Sequence, residues 1–186
     1  AAALYEESAA LFRAAGDTMR LASVVANQGA IANMQGDYVR GRQLCEEALG
    51  LHREVGAKDD VALTLQNLGR VALHEERLQD AAEQLRESLE LSRELSYKEM
   101  IAHGLEALAE LAAARADGQR AARLVGAAEG LFEELGVVLQ EDDRDTYERT
   151  VATLKAQLGP EAFEAARSAG AAVELERAIA EALETL

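Results

Sequence analysis

Proline, cysteine and aromatic residues are nearly absent from this chain: one Pro, one Cys, no Trp, four Tyr and three Phe among 186 residues. A single Pro, with 14 Gly that are spaced rather than clustered, supplies too few turn residues for a sandwich or a barrel. The lone cysteine, Cys45, cannot close an intrachain disulfide, so nothing requires an oxidising compartment and a cytoplasmic location is expected. Basic residues are also scarce. Nineteen Lys+Arg stand against 34 Asp+Glu, a net charge of -15, which argues against a nucleic-acid-binding surface. Long hydrophobic runs are missing too: the longest uncharged stretch, Leu21 to Gly36, is broken by Ser23, Asn27, Gln28, Asn33 and Gln35, so neither a membrane span nor a signal peptide is predicted. What is present is 49% hydrophobic residues, mostly Ala and Leu, enough for a core of small side chains between closely approaching helices. The use of 16 Arg to 3 Lys beside abundant Ala points to a GC-rich bacterial genome.

The chain repeats itself at an offset of 40 residues without a gap. Asn27 and Gly29 recur as Asn67 and Gly69, and the same step reaches Ala107 and Ala109. Glu46-Glu47-Ala48-Leu49-Gly50-Leu51 aligns with Arg86-Glu87-Ser88-Leu89-Glu90-Leu91 and, stepping back, with Glu6-Glu7-Ser8-Ala9-Ala10-Leu11. The resulting partition is a half repeat at 1–19, full repeats at 20–59, 60–99 and 100–139, and a non-repeating tail at 140–186. Each unit reads as two helices. Val61, Leu65, Leu68 and Ala72 follow helical spacing, and after Glu76-Arg77 a second set appears at Leu78, Ala82, Leu85 and Leu89. Gly36-Asp37 marks the turn within the first unit, and Gly16, Gly56 and Gly136 fall where second helices end, as left-handed caps. Three positions stay small in every unit: Gly29, Gly69, Ala109; Gly41, Ala81, Ala121; and Ala48, Ser88, Ala128. Mid-helix Gly costs about 1 kcal/mol relative to Ala, so Gly29 and Gly69 need a packing reason, which close helix contact supplies.

These residues resemble the tetratricopeptide repeat: Asn27-Gln28-Gly29 and Asn67-Leu68-Gly69 in the first helices, Gly36-Asp37-Tyr38 at the turn, a small residue opening the second helix, and Ala48-Leu49-Gly50-Leu51 near its end. The 40-residue unit resembles the long-helix variety of bacterial signalling regulators. The third unit departs from the pattern at Ala107, Ala116 and Glu129 and reads as a decayed unit leading into a cap. The tail, with Ala121 to Leu131, Asp143-Arg144, Tyr147-Glu148-Arg149 and Leu158-Gly159-Pro160-Glu161-Ala162-Phe163, looks like the extreme C-terminus of large regulators. Those join a STAND-type ATPase to a tetratricopeptide region, with a LuxR-type or antibiotic-regulator-type DNA-binding domain or a cyclase domain elsewhere. The resemblance implies an all-α, tetratricopeptide-like α-α superhelix, a helical-hairpin solenoid, with a C-terminal helical cap. Seven helices are expected from 1 to 139, then about three more.

In the tail, Asp142 and Asp143 are placed to cap a helix carrying Tyr147, Val151, Leu154 and Leu158; Gly159 ends it, and Pro160 suits the first turn of the next. A final helix shows Leu175, Ile179 and Leu183 on one face, and it opens on Val173-Glu174 where such tails usually carry Ser or Thr. This segment would supply the terminal cap a solenoid needs. The other end begins inside a repeat without a Met, so an upstream repeat is expected in a longer parent, and Leu4, Tyr5, Leu11 and Phe12 would leave an apolar face able to self-associate weakly.

No catalytic signature emerges. His74 and His103 sit at opposite ends of first helices, roughly 16 Å apart in repeat phase at the rise of an α-helix, and His52 lies on a second helix, so no shared metal is expected. The di-iron pairing of Glu with His three residues later is absent, because Leu49, Val71 and Met100 hold those places. The Glu-Glu pairs at 6–7, 46–47, 75–76 and 133–134 read as a solvated acidic face. Cys45 takes the place of Tyr5, Leu85 and Val125 and reads as a small buried hydrophobe. Phosphate-binding Gly-rich loops and a nucleophile elbow are missing, so no enzyme, cofactor or metal is expected.

What remains is a surface. In tetratricopeptide arrays the first helices line the concave face, which makes their non-core residues the binding candidates: Asn27 and Asn33 in the first unit, Gln66, Asn67, Arg70 and His74 in the second, and His103, Glu106 and Glu110 in the third. The family's carboxylate clamp needs several cations there, and only Arg70 supplies one. Asn27 and Asn67 also fit backbone hydrogen bonding between units. The expected role is a non-catalytic interaction or sensor module from a multidomain bacterial regulator, binding a protein, a peptide or its parent's own domains. The alternative is a sensor holding a small-molecule effector in the concave groove, and the scarcity of aromatics favours protein.

Overall fold

The computed structural model describes residues 2–138 and 141–184, and the side chains of 4–138 and 144–184. The described residues form ten α-helices and no strand: α1 (Ala2–Ala15), α2 (Thr18–Met34), α3 (Tyr38–Val55), α4 (Lys58–His74), α5 (Leu78–Glu94), α6 (Lys98–Ala114), α7 (Gly118–Leu135), α8 (Glu141–Leu158), α9 (Pro160–Ala171) and α10 (Leu175–Leu183). The chain is all-α, and its described residues place seven helices up to Leu135, as the repeat predicts, and three after it, as expected of the tail.

The punctuation is finer than the 40-residue repeat. A residue with positive φ stands every 20 residues, at Gly16, Gly36, Gly56, Glu76, Ser96, Ala116 and Gly136, and a new helix opens two or so residues after each of the first six. Left-handed backbone lets the chain leave one helix and turn back into the next. Glycine takes it without strain; Glu76, Ser96 and Ala116 hold the same geometry despite a β-carbon. Asp17, Asp37 and Asp117 follow three of these residues and accept a hydrogen bond from the backbone N–H three residues on. Ala57 and Tyr97, at the same phase, provide no such cap.

By its contacts the chain forms two compact units, residues 1–91 and 92–186. In the first, α2 and α3 pack as a hairpin. A β-carbon on Gly29 would stand 2.7 Å from Cys45 Sγ, and one on Gly41 would fall on the Asn33 side chain. Gly69 on α4 is likewise pressed by Leu85 of α5, at 2.6 Å from where its β-carbon would be. The small residues therefore set the interhelix distance. Ser88, which shares its repeat position with Ser8, Ala48 and Ala128, donates its hydroxyl to the Ala62 carbonyl at 2.7 Å. On the outside, Arg13–Glu47 and Arg53–Glu87 are ion pairs of 2.6 Å related by the 40-residue step. The Glu-Glu pairs at 6–7, 46–47 and 133–134 are exposed as expected and several are laced with arginine, whereas Glu75 of the 75–76 pair is half-buried. Exposed ion pairs contribute at most about 1 kcal/mol each. Phe12 corrects one expectation: it packs with Ala9, Leu21, Val25 and Ala48, leaving Leu4 and Leu11 as the exposed large hydrophobic residues among the described side chains of α1.

In the second unit α6 and α7 form a hairpin, α9 crosses α7, α8 touches α6, α7 and α9, and α10 rests on α7 and α6. Leu154 and Phe163 are the buried anchors of α8 and α9. Tyr147, Val151 and Leu158 are half-buried on the predicted face of α8. The buried stripe of α10 is Ala178, Ile179 and Ala182, while Leu175 and Leu183 flank it half-buried, because this helix approaches its neighbours through alanines. Helix α8 already includes Asp142 and Asp143 in its first turn; the side chains assigned as its caps lie outside those described. Gly159 (φ 81°) and Pro160 join α8 to α9 as predicted, and Glu174 starts α10 in extended conformation without a side-chain cap.

Candidate recognition face

Helices α2 and α4 lie against each other in the first unit. Of the polar candidates on them, Asn27 and His74 are exposed, and Asn67 and Arg70 are half-buried. His74 is held by stacking on the Tyr38 ring, with centroids 4.5 Å apart and planes 14° from parallel. Just beyond it the turn into α5 is an ion cluster: Glu75 pairs with Arg77 at 2.7 Å and with Arg42 at 3.3 Å, and Arg77 also holds Asp80. The hydrogen bond from Arg77, aided by Arg42, keeps the Glu75 carboxyl below its ordinary range. This end of α4 is therefore a fixed, charged ledge.

Three candidates fall elsewhere. Asn33 is turned into the α2–α3 contact, where its Nδ2 donates to Cys45 Sγ at 4.0 Å, so it serves packing. Gln66 and Glu106 are only 5% and 4% exposed, and the expectation that they are surface residues is wrong. In α6 the reason is its neighbours: α7, α8 and α10 all cover it, and residues from Met100 to Ala112 are buried on nearly every side. Glu106 Oε2 lies 3.5 Å from His103 Nδ1, and the His103 ring meets Phe132 edge-on at 4.8 Å. The third unit's candidates thus sit under the tail helices, with His103 and Glu110 half-buried.

The tail also explains a departure in the repeat. Glu129 replaces the apolar residue found at Leu49 and Leu89, and it binds Arg167 of α9 at 2.7 Å and the Tyr147 hydroxyl of α8. Burial, then the bond to Glu129, pushes the Tyr147 pKa up, so the phenol stays a donor. One substitution converts a repeat contact into the anchor of two further helices. Repeat self-similarity shows the departure but not its partner.

The Cys45 thiol is buried and pushed up to about 11, mainly by desolvation, so it is protonated at neutral pH. Among the described residues no three His, Cys, Asp or Glu side chains are grouped to hold a metal ion. No described helix is long and apolar enough to cross a membrane.

Residues 17–94 match the tetratricopeptide repeat family model, a stretch that runs from the Asp17 cap of α2 to the end of α5. No curated protein matches the chain. Over that stretch the helical hairpins, with small residues at their contacts, are similar to tetratricopeptide repeats, a fold that generally mediates protein–protein interaction.

Proposed function

We propose that this chain is a non-catalytic recognition module that binds a partner protein or peptide, or another domain of a longer parent chain, through the first-helix face of α2 and α4. The observation that carries this reading is the repetition of Asn27 as Asn67 on adjacent helices, followed by Arg70 and the Tyr38-supported His74. Two amides in repeat register suit an extended peptide backbone, whose donors and acceptors also recur at a fixed step. The finer context is a multidomain bacterial signalling or transcriptional regulator working in the cytoplasm. The likeness of the tail to the C-termini of such regulators supports it, with 140–186 acting as the cap of the repeats at 1–139. Direct nucleic-acid binding is no part of this role, since a net charge of -15 repels phosphate.

Selection of a displayed random-peptide library on the chain, followed by anisotropy titration of the selected peptides, tests this. The Asn27→Ala, Asn67→Ala double variant should bind about tenfold more weakly, the loss of two hydrogen bonds at roughly 0.5–1.5 kcal/mol each. Equal binding by the double variant would remove this face from the proposal.

A further inference from the structure

The second unit contains a cavity of about 270 Å³, lined from three helices and the turn after α7. A 40 Å³ crevice beside Tyr5 and Arg40 in the first unit holds little more than water. The larger cavity exceeds the roughly 150 Å³ that suffices for a benzene ring. Its walls divide by chemistry. Val125, Ala128, Phe132 and Val137 are apolar, and the polar lining is Glu106, Glu129, Glu133 and the Tyr147 hydroxyl. Among the described residues three carboxylates line it and no Lys, Arg or His does.

We propose that this cavity binds a small organic cation: an amine carried on an apolar body about the size of an aromatic ring. The apolar walls provide for the body, and the sign of the charge selects the amine. Glu129 is spoken for, with Tyr147 on Oε1 and Arg167 on Oε2, so it is a fixed part of the frame. Glu106, whose Oε2 also lies 3.5 Å from His103 Nδ1, and Glu133 add the negative charge that meets the cation. Glu106 is buried, and its attraction for an ammonium is strengthened by the low dielectric around it. Glu133 is exposed and marks the open side. Val137 is set in the wall by the left-handed cap at Gly136, which returns the Val137 N–H to the Phe132 carbonyl at 3.0 Å. An anionic ligand would face three carboxylates and a Tyr147 hydroxyl already donated to Glu129, and an inorganic cation would gain nothing from the four apolar residues. The site is independent of the peptide-binding face proposed for α2 and α4, because none of its residues lies on those helices.

Calorimetric titration of the full chain with phenethylamine, phenethyl alcohol and phenylacetate separates charge from shape. The amine should bind, the alcohol about tenfold or more weakly, and the acid not at all. Glu106→Gln should weaken amine binding about tenfold, and Glu133→Gln, at an exposed site, by a smaller factor. Val137→Trp should abolish binding by filling the cavity, whereas Glu161→Gln, an acidic residue outside the lining, should leave it unchanged. Circular dichroism establishes that each variant is folded. If Glu106→Gln fails to fold, the comparison of amine with alcohol and the Glu133→Gln titration still decide the matter. Absence of amine binding, equal binding of amine and alcohol, or full binding by the Val137→Trp variant would each overturn the proposal.

Discussion

Gly126 of α7 and Gly170 of α9 face each other's backbones. A β-carbon on Gly126 would land on the carbonyl oxygen of Arg167, and one on Gly170 on that of Arg123. The two contacts are reciprocal, each glycine opposite a residue three positions before the other. With backbone as the obstacle, no rotamer change relieves a substitution. Gly126→Ala and Gly170→Ala should each destabilise the protein by about 3 kcal/mol, because the overpacking cost, typically about 1–3 kcal/mol and sometimes more, outweighs the roughly 1 kcal/mol that Ala gains in helix propensity. Chemical denaturation checks this, and unchanged stability would show that α7 and α9 can separate freely.

The three left-handed residues that are not glycine should behave in the opposite sense. Ala116 has φ 61°. Left-handed geometry costs an L-residue roughly 1–2 kcal/mol, and introducing glycine returns about 0.4–1 kcal/mol to the unfolded chain as entropy. Ala116→Gly should therefore stabilise by up to about 1 kcal/mol, and Gly56→Ala, at φ 71°, should destabilise by a similar amount. Thermal melts of the two variants against wild type measure both signs.

His52 gives the protein a pH dependence near neutrality. It is buried, with Nδ1 3.6 Å from Asp60 Oδ2. Desolvation lowers its pKa below the ordinary 6.5, and Asp60 and Asp59 offset part of that. The unfolded chain then binds a proton at higher pH than the folded one, so this contribution is present above about 6.5 and is lost as pH falls below it. Glu75, Glu164 and Glu181 are held below their ordinary 4.5 and lose their contributions only at lower pH. Phe12 and Phe132 occupy the equivalent repeat position. In His52→Phe the fall in Tm between about pH 7 and about pH 5 should shrink relative to wild type; an identical pH profile would place the titration elsewhere.

Part of the proposed recognition face is legible in the sequence. Asn27, Asn67, Arg70 and His74 are at least partly exposed where the repeat puts them. Gln66 and Glu106 were not legible as buried, because helical phase says which residues share a face and not how many faces are covered. Gly29 and Gly69 need a packing reason in mid-helix, and so do Gly126 and Gly170, which meet at the α7–α9 contact; Glu129 in a leucine position needs an ion partner.

The order of helices, the 40-residue repeat and the small residues between paired helices were determined by sequence alone, since each depends on local backbone geometry and on contacts that recur with the repeat. The tertiary structure decided how α8, α9 and α10 fold back on α6 and α7. That return encloses Glu106 and recruits Glu129 to Tyr147 and Arg167. It also shapes the cavity beside Phe132. These contacts join residues with no repeat relationship, so their energies depend on which surfaces meet.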